Sequence, residues 1–304
     1  MKIITKKDIQ KIIKELEEKG KVIPATTDAV FKSLFQDSSM RGILAYIINK
    51  VTLLKEDYLL KHMIFGNSEE AKNRIALKGN TTDLVVDVLN KKILLEMNQY
   101  NTKDNEFRNN AHYYGAIAND IRVNDNYLNI KQIYQINFDV EKAFTDNLIA
   151  EIVSIDKYTG IVDNDFYKKY RINLVKVRKK YYTEASKLSR FEKILLILQL
   201  EDKKELRKIA RGDDELMKMV DRIEELSKDP DIVSFYDEEK LDKLAKSYGE
   251  YMAKEEGKAE GIALGKNEAN LETAKKLLEE NISIDIISKT TGLSKEAILT
   301  IKND

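Results

Sequence analysis

Two carboxylates occur in a stretch of sequence that is otherwise apolar. Asp83 directly precedes the β-branched run 84–89, and Glu96 lies within the second apolar run, 93–97. An ionised carboxylate inside an apolar sheet is strongly unfavourable unless it is paired, hydrogen-bonded or ligated to a metal. A hard divalent cation such as Mg²⁺ suits two carboxylates, water and a phosphate oxygen of a substrate. The pattern therefore favours a divalent-cation site.

A tight hairpin is the element that would position these two acids. The two runs are separated by Asn90-Lys91-Lys92, a connector of hairpin length, so antiparallel pairing is predicted. Side chains alternate across a strand, so Glu96 and Asn98 share one face with about 6.6 Å of rise between them. Asp83 lies near the far end of the partner strand, and the twist of the strands decides whether the carboxylates meet.

The order of these residues resembles that of the PD-(D/E)XK nuclease family transposases, the group that includes the Rpn recombination-promoting nucleases. The shared features are the Asp, the hairpin, Glu-Met-Asn, and an Arg-Asn and a Tyr on the next helix. The resemblance implies that Asp83 and Glu96 bind a metal, Mg²⁺ with Mn²⁺ as the alternative. Asn98 stands where the wider superfamily has a lysine; an amide can orient the attacking water but cannot act as a base, so the metal would generate the hydroxide. Asp87 is a rival first acid by spacing, although the residues around Asp83 match the family better.

A further acid lies on a helix predicted to start after Pro24. A threonine is its expected N-cap, and its buried face comprises Val30, Phe31, Leu34 and Phe35. Asp28 in the first turn is explained by the helix dipole alone. However, DAVFKSLF resembles the segment that opens the family's proteins, which implies that Asp28 is a third catalytic, metal-binding acid. Lys32 lies one turn later and would contact phosphate or form an i,i+4 ion pair with Asp28.

The helix predicted over residues 104–120 carries the remaining family-like residues. Arg108 and Tyr113 match the Arg-Asn and the Tyr at slightly different spacing, which implies that they bind substrate by holding the scissile phosphate, or order the acids. The alternative is an aromatic helix face packed on the sheet with Arg108 pointing outward. Residues 73–79 as a first strand and residues 131–140 as a last one complete the βββαβ order that such nucleases have.

Hydrophobic periodicity predicts the other elements. Helices are expected over 1–20 and 38–54, an irregular segment over 55–71, and strands over 148–157 and 167–177. The last strand would end in the basic cluster 176–180, which is either a solvated strand end or a phosphate contact.

The expected fold is α/β, a restriction-endonuclease-like mixed-sheet core followed by an all-helical C-terminal region. We predict a nuclease-like core with N-terminal helices over 1–180, a helical region over 181–255 and a helical tail over 256–304. The tail ends in the layout of a helix-turn-helix, which αα-hairpins that do not bind DNA share. Gly257, Gly261 and Gly265 recur at every fourth residue. They favour a homo-oligomer formed through the C-terminal helices, with a glycine-weakened linker as the alternative.

Composition limits the classes of function. The 304 residues are 42% hydrophobic, which is adequate for a core, and 52 basic residues balance 52 acidic ones, so any DNA-binding surface must be local. The absence of cysteine excludes disulfides and thiolate sites, and two histidines argue against a His-rich metal site. No apolar run approaches ~18 residues and no signal peptide opens the chain, so we expect a cytoplasmic protein with no membrane partner.

The sequence and the resemblance lead to the expectation of a metal-dependent DNA endonuclease that hydrolyses phosphodiester bonds. The family label implies an association with mobile elements or DNA recombination. The alternative is a catalytically degenerate nuclease fold that binds or assembles, which the missing lysine and the zero net charge favour. In a third interpretation, Asp83 and Glu96 are structural ion-pair partners of Lys78 or Arg108.

Overall fold

The computed structural model describes residues 5–66, 83–99, 103–120, 131–163, 166–236, 269–280, 282–294 and 297–299. The predicted strand 73–79 with Lys78, and the glycine repeat of the tail, lie outside these residues. The chain divides into two compact units, Met1–Asp237 and Glu238–Asp304. None of the described helices has the length and apolar character needed to cross a membrane.

A mixed sheet forms the centre of the first unit. Its six described strands are β1 (Met63–Phe65), β2 (Leu84–Val88), β3 (Lys91–Asn98), β4 (Gln132–Asp139), β5 (Ile149–Ile152) and β6 (Tyr167–Asn173), in the order β1-β2-β3-β4-β6-β5. Pairing is parallel for β3/β4 and β4/β6 and antiparallel elsewhere. Parallel neighbours need a crossover connection, and a helix, Lys103–Asp120, lies in the connection between β3 and β4. The α/β mixed-sheet core is therefore confirmed.

The predicted hairpin is present, with a shorter turn than expected. Leu84 pairs with Leu95 and Val88 with Lys91, so only Leu89 and Asn90 form the turn. Leu89 adopts a positive φ of 51°, the left-handed conformation that lets a two-residue turn match the twist of its strands. The two lysines assigned to the connector belong to β3.

The α-helices whose bounds the structure describes are α1 (Lys6–Glu18), α2 (Asp28–Gln36), α3 (Arg41–Thr52), α4 (Glu56–His62), α5 (Lys103–Asp120), α6 (Leu174–Glu184), α7 (Arg190–Ile197), α8 (Lys203–Ala210), α9 (Asp214–Leu226) and α10 (Ile284–Thr291). The predicted buried face of α2 is confirmed, since its four apolar residues are fully buried. Gly20, the last residue of the helix expected over 1–20, follows α1 with a positive φ of 62°.

The two faces of the sheet differ in chemistry. One face, which includes Val86 and Leu95, belongs to the main apolar core together with residues of α2, α3, and α7 to α9. The other face packs against α5 through a smaller cluster of Val85, Leu94, Tyr113 and Ile133. Strand alternation puts Glu96 and Asn98 on this second face, two and four residues after Leu94.

Three predictions of local structure were wrong in part. Residues 55–71 are not irregular throughout, because they contain α4 and β1; both elements are too short to show a clear period in the sequence. The strand predicted over 167–177 ends at Asn173, whose side-chain oxygen accepts a hydrogen bond of 2.8 Å from the amide of Lys176 and caps α6. The basic cluster 176–180 therefore lies on a helix rather than at a strand end.

The strand predicted over 148–157 is also shorter than expected. The side chain of Asp156 accepts hydrogen bonds from the amides of Tyr158 and Thr159, at 3.0 and 2.6 Å, and so forms a turn beyond β5.

Helices α7 to α9 pack on the same core as the sheet. Lys21 forms an isolated β-bridge with Asp202, and the hydroxyl of Ser227 accepts a 2.9 Å hydrogen bond from the amide of Ile23. These helices thus lie in the same compact unit as the nuclease-like core, and domain boundaries at 180 and 255 stay predictions. In the second unit, Ala274, Ile287 and Ile298 form a small buried cluster.

Candidate active site

The candidate site lies where the start of β2, the end of β3 and the start of α2 meet the polar side of α5. Asp83 immediately precedes β2, and Glu96 faces α5 from β3. Asp28 opens α2, and Arg108 projects from α5 with its side chain exposed. The sequence separations are large, so the tertiary fold brings these residues together.

Glu96 is the most deeply buried member of the site. Its side chain is fully buried, and its Oε1 lies 2.8 Å from Nδ1 of His112. Its second oxygen, Oε2, has no hydrogen-bond partner within the described part of the chain. A buried carboxylate oxygen without a partner is costly, so it needs a cation or a donor that the described residues do not supply.

Asp83 is held in place by the backbone of the neighbouring strand. Its Oδ2 accepts a 2.6 Å hydrogen bond from the amide of Met97. Burial raises the pKa of Asp83 well above its ordinary value, and the negative charges of Glu96 and Asp28 raise it further. The Met97 amide and the Arg108 guanidinium oppose this shift without cancelling it. Asp83 therefore lies close enough to Glu96 and Asp28 for their negative charges to disfavour its ionised form.

Asp28 belongs to the same electrostatic group. Although part of its surface is exposed, desolvation by the surrounding protein raises its pKa, Arg108 lowers it, and Glu96 raises it. The structure therefore brings together all three predicted acids and the predicted arginine. Whether these residues act in catalysis stays a prediction.

The donor set fits a hard divalent cation. Mg²⁺ typically uses one or two carboxylates and keeps several waters, and Asp83 with Glu96 Oε2 offers that combination. Over the described ranges, no three side chains among His, Asp and Glu are arranged to hold one metal ion by themselves. Asp28 would then contribute through its charge or through water rather than complete a protein cage.

The rival acid lies elsewhere. Asp87 pairs with Lys92 near the turn of the hairpin, and its Oδ1 accepts a 2.6 Å hydrogen bond from Nζ of Lys131. Alternation and register place it near the opposite end of the hairpin from Glu96. This geometry favours Asp83 as the acid that accompanies Glu96.

Asn98, which the resemblance places at the superfamily lysine position, is almost completely buried. Its Oδ1 accepts a 2.8 Å hydrogen bond from Nδ2 of Asn109, and its Nδ2 makes a long, 3.5 Å contact with Oδ1 of Asp139. Asp139 in turn binds Arg171, whose Nε and Nη2 lie 3.1 and 2.5 Å from the two carboxylate oxygens. Asn98 thus belongs to a buried polar network, and its role in orienting water stays a prediction.

The predicted substrate-binding residues have different environments. Arg108 is exposed beside the acids, and Lys32 is half-buried on α2. Tyr113 is buried in the cluster beneath α5, and Nζ of Lys169 lies 4.5 Å from its ring centroid. Burial raises the pKa of the Tyr113 hydroxyl. Tyr113 therefore packs its ring on the sheet as in the alternative interpretation, and a phosphate contact by any of the three stays a prediction.

Sequence reasoning missed His112, Asn109 and the Asp139–Arg171 pair. Asn109 and His112 are three residues apart, so they lie on one face of α5, and this face opposes the polar positions of β3. A polar stripe at helical spacing was therefore visible in the sequence. The pairing of Asp139 with Arg171 depends on the parallel β4/β6 register and had no local signal.

Comparison with known proteins gives one match. The family model described as "PD-(D/E)XK nuclease family transposase" matches residues 25–248. No curated protein and no solved structure gave a significant match. The matched residues include all three acids, the whole sheet and helices α7 to α9, which is more than half of the chain. The chain belongs to the PD-(D/E)XK nuclease family transposases.

Proposed function

We propose that the protein is a metal-dependent endonuclease that hydrolyses phosphodiester bonds in DNA. Family membership supports a nuclease with DNA as its substrate. The observation that carries the proposal is the fully buried Glu96 carboxylate, which has one oxygen without a partner in the described chain and lies beside Asp83. Such an arrangement is unfavourable on its own and becomes favourable when a cation binds.

Asp83 and Glu96 are the residues that would hold Mg²⁺ or Mn²⁺, with Asp28 in support. The ion supplies Lewis acidity toward the phosphate and the attacking water. The protein contributes the fixed geometry of its acids, since Met97 holds Asp83 and His112 holds Glu96. Mutual repulsion among the three acids is relieved when a positive ion enters.

The cationic side chains near the acids would bind the substrate. Arg108 is exposed and close enough to the acids to lower the pKa of both Asp28 and Asp83, so its guanidinium is available to a phosphate oxygen. Asn98 keeps one amide hydrogen and one oxygen lone pair beyond its two contacts, and these groups would orient the attacking water.

The proposed biological setting follows from the family name and the sequence. The family name supports an association with mobile elements or DNA recombination. A cytoplasmic location, homo-oligomerisation through the C-terminal helices and DNA docking by the tail rest on sequence reasoning alone.

A catalytically degenerate nuclease fold that binds or assembles is the second candidate. It is favoured by Asn98, whose amide contacts protein groups on both sides at a position where the superfamily has a lysine. On this view, the buried polar side chains between α5 and β3, which include Glu96, Asn98 and Asn109, are a structural remnant; we call them the polar layer beneath α5.

Cleavage of supercoiled and linear DNA tests the proposal. The proteins are wild type, Glu96→Gln, Asp83→Asn and the matched control Asp87→Asn, each with Mg²⁺, Mn²⁺ or EDTA and each checked for normal melting. We expect metal-dependent nicking by wild type and Asp87→Asn that is lost in the other two variants. If wild type neither cleaves DNA nor binds Mn²⁺ in calorimetry, the degenerate-fold candidate replaces this proposal.

A further inference from the structure

Four buried oxygen atoms on the α5 side of the sheet have no hydrogen-bond partner within the described residues. They are Glu96 Oε2, Asn109 Oδ1, Gln135 Oε1 and Asn137 Oδ1, and each belongs to a side chain that is at least nine-tenths buried. Buried polar atoms are usually satisfied, so four unsatisfied acceptors in one layer require an explanation.

The amide orientations are fixed by contacts with groups that can only accept. Nε2 of Gln135 donates to the backbone oxygen of Asn109 at 2.8 Å, and Nδ2 of Asn137 donates to that of Tyr170 at 3.2 Å. Nδ2 of Asn98 faces a carboxylate oxygen of Asp139, so Oδ1 of Asn98 is the atom that accepts from Asn109. Flipping any of these amides would place two acceptors or two donors face to face, so the free atoms are oxygens.

The free oxygens lie around one place. Glu96 and Asn137 are direct partners in the parallel β3/β4 pair, on the same face. Gln135 precedes Asn137 by two residues and therefore shares that face. Asn109 bonds to both Asn98 and Gln135, so it lies over the Glu96–Asn137 pair. The partnerless oxygens of these four side chains therefore belong to one region between α5 and the sheet, where a cation or a molecule that donates hydrogen bonds would satisfy them.

The contact with His112 fixes which oxygen of Glu96 is left without a partner among the described residues. An ionised carboxylate only accepts, so Nδ1 of His112 carries the hydrogen of the 2.8 Å contact with Oε1. Asn109 of α5 contacts Asn98 of β3, and His112, one turn later on α5, contacts Glu96, two residues earlier on β3. These two contacts fix the helix against the strand. Oε2 is thereby left free.

We propose that His112 is a positioning residue that fixes Glu96 for a hydrated divalent cation, while the amide oxygens of Asn109, Gln135 and Asn137 accept hydrogen bonds from the waters of that cation. This inference rests on the proposed function. Mg²⁺ gives up its waters reluctantly, so a site for it needs acceptors for those waters as well as carboxylates. Partners that orient a ligand typically change metal affinity 10- to 100-fold when they are lost.

The test compares two amides at position 112. In His112→Asn the side-chain NH₂ occupies about the place of Nδ1 and can still donate to Glu96, whereas in His112→Gln it lies nearer the place of Nε2. Mn²⁺ affinity is measured by calorimetry, and melting temperature is measured in EDTA. His62→Gln, at the other histidine of the chain, is the control, and Asn137→Leu removes one water acceptor without touching His112.

We expect His112→Asn and His62→Gln to bind Mn²⁺ as wild type does, and both His112→Gln and Asn137→Leu to bind it roughly 10-fold or more weakly while staying folded. Equal Mn²⁺ affinity in His112→Asn and His112→Gln would overturn the positioning role. If His112→Gln does not fold, wild-type Mn²⁺ affinity in Asn137→Leu overturns the inference instead. If wild type does not bind Mn²⁺, both this inference and the proposed function are overturned. If wild type binds Mn²⁺ and cleaves DNA, the proposed function stands, whatever the variants at positions 112 and 137 show.

Discussion

Asn109 donates a 2.8 Å hydrogen bond to the side-chain oxygen of Asn98, and both residues are buried. If position 98 corresponds to the superfamily lysine, as the resemblance implies, this contact explains how an amide is accommodated there. A lysine here would bring its ammonium group against the NH₂ of Asn109, so this amide would lose its acceptor and would have to rotate to present its oxygen. The asparagine at position 98 is therefore matched to its helix.

Restoring the lysine should for this reason be harmful unless the helix changes too. We expect Asn98→Lys to lower the free energy of unfolding by about 1–3 kcal/mol, because it removes the acceptor of the Asn109 amide and places a longer, charged side chain at a buried position. Asn109→Asp in the same chain supplies a carboxylate for the new ammonium group and should recover part of the loss. Urea unfolding of the two single variants and the double variant forms a mutant cycle, and additive effects would contradict the direct coupling.

The pH dependence of stability should reveal the strain among the acids. The raised pKa of Asp83 means that the folded protein holds this proton more tightly than the unfolded chain does. In metal-free protein, the free energy of unfolding should therefore fall as pH rises from the ordinary aspartate pKa toward the raised one. We expect Asp83→Asn to be more stable than wild type at neutral pH in EDTA, with the difference vanishing below about pH 4.

A second aspartate gives the opposite sign and serves as the control. The hydrogen bond from Arg190 lowers the pKa of Asp213, so its ionised form stabilises the fold above the ordinary aspartate pKa, and this stability is lost as pH falls. Asp213→Asn should destabilise the protein at neutral pH while keeping an N-cap residue for α9. Destabilisation by Asp83→Asn under the same conditions would refute the strain argument.

The buried pair of Arg171 and Asp139 should matter far more than an exposed pair nearby. The side chain of Asp139 is 1% exposed and that of Arg171 11%, and Arg171→Leu would leave a buried carboxylate without its charged partner. We expect a loss of about 3–5 kcal/mol in chemical unfolding. Arg178→Leu, which breaks a 3.7 Å contact with the half-exposed Glu141, should cost less than about 1 kcal/mol. Similar losses for the two would contradict this account.

The sequence was sufficient for elements whose burial has a clear period. The hairpin, the amphipathic helices and the strand 132–139 follow from apolar spacing, and the family resemblance added the placement of the three acids. Short elements could not be predicted from the sequence. The three residues of β1, for example, are held in a strand by pairing with β2 rather than by an intrinsic preference for β structure. At Asn173 a strand-like pattern continued into α6, and one capping contact decided the boundary.

The polar layer beneath α5 could be inferred only in part. Glu96 and Asn98 stood out because they are polar residues in an apolar strand. Their partners His112 and Asn109 are ordinary residues for an exposed helix, and only tertiary packing shows that this helix face is buried. The role of Asp139 needed the β3/β4 register, which aligns it with Asn98 across forty-one residues of sequence.

The paired contacts between α5 and β3 constrain how this protein can change over time. Each of the two hydrogen bonds joins a donor on the helix to an acceptor on the strand, so most single replacements leave a buried group mismatched. We therefore expect positions 96 and 112, and likewise 98 and 109, to form epistatic pairs. Relatives that differ at one member of a pair should carry a compensating residue at the other, so divergence in this layer proceeds by coupled substitution.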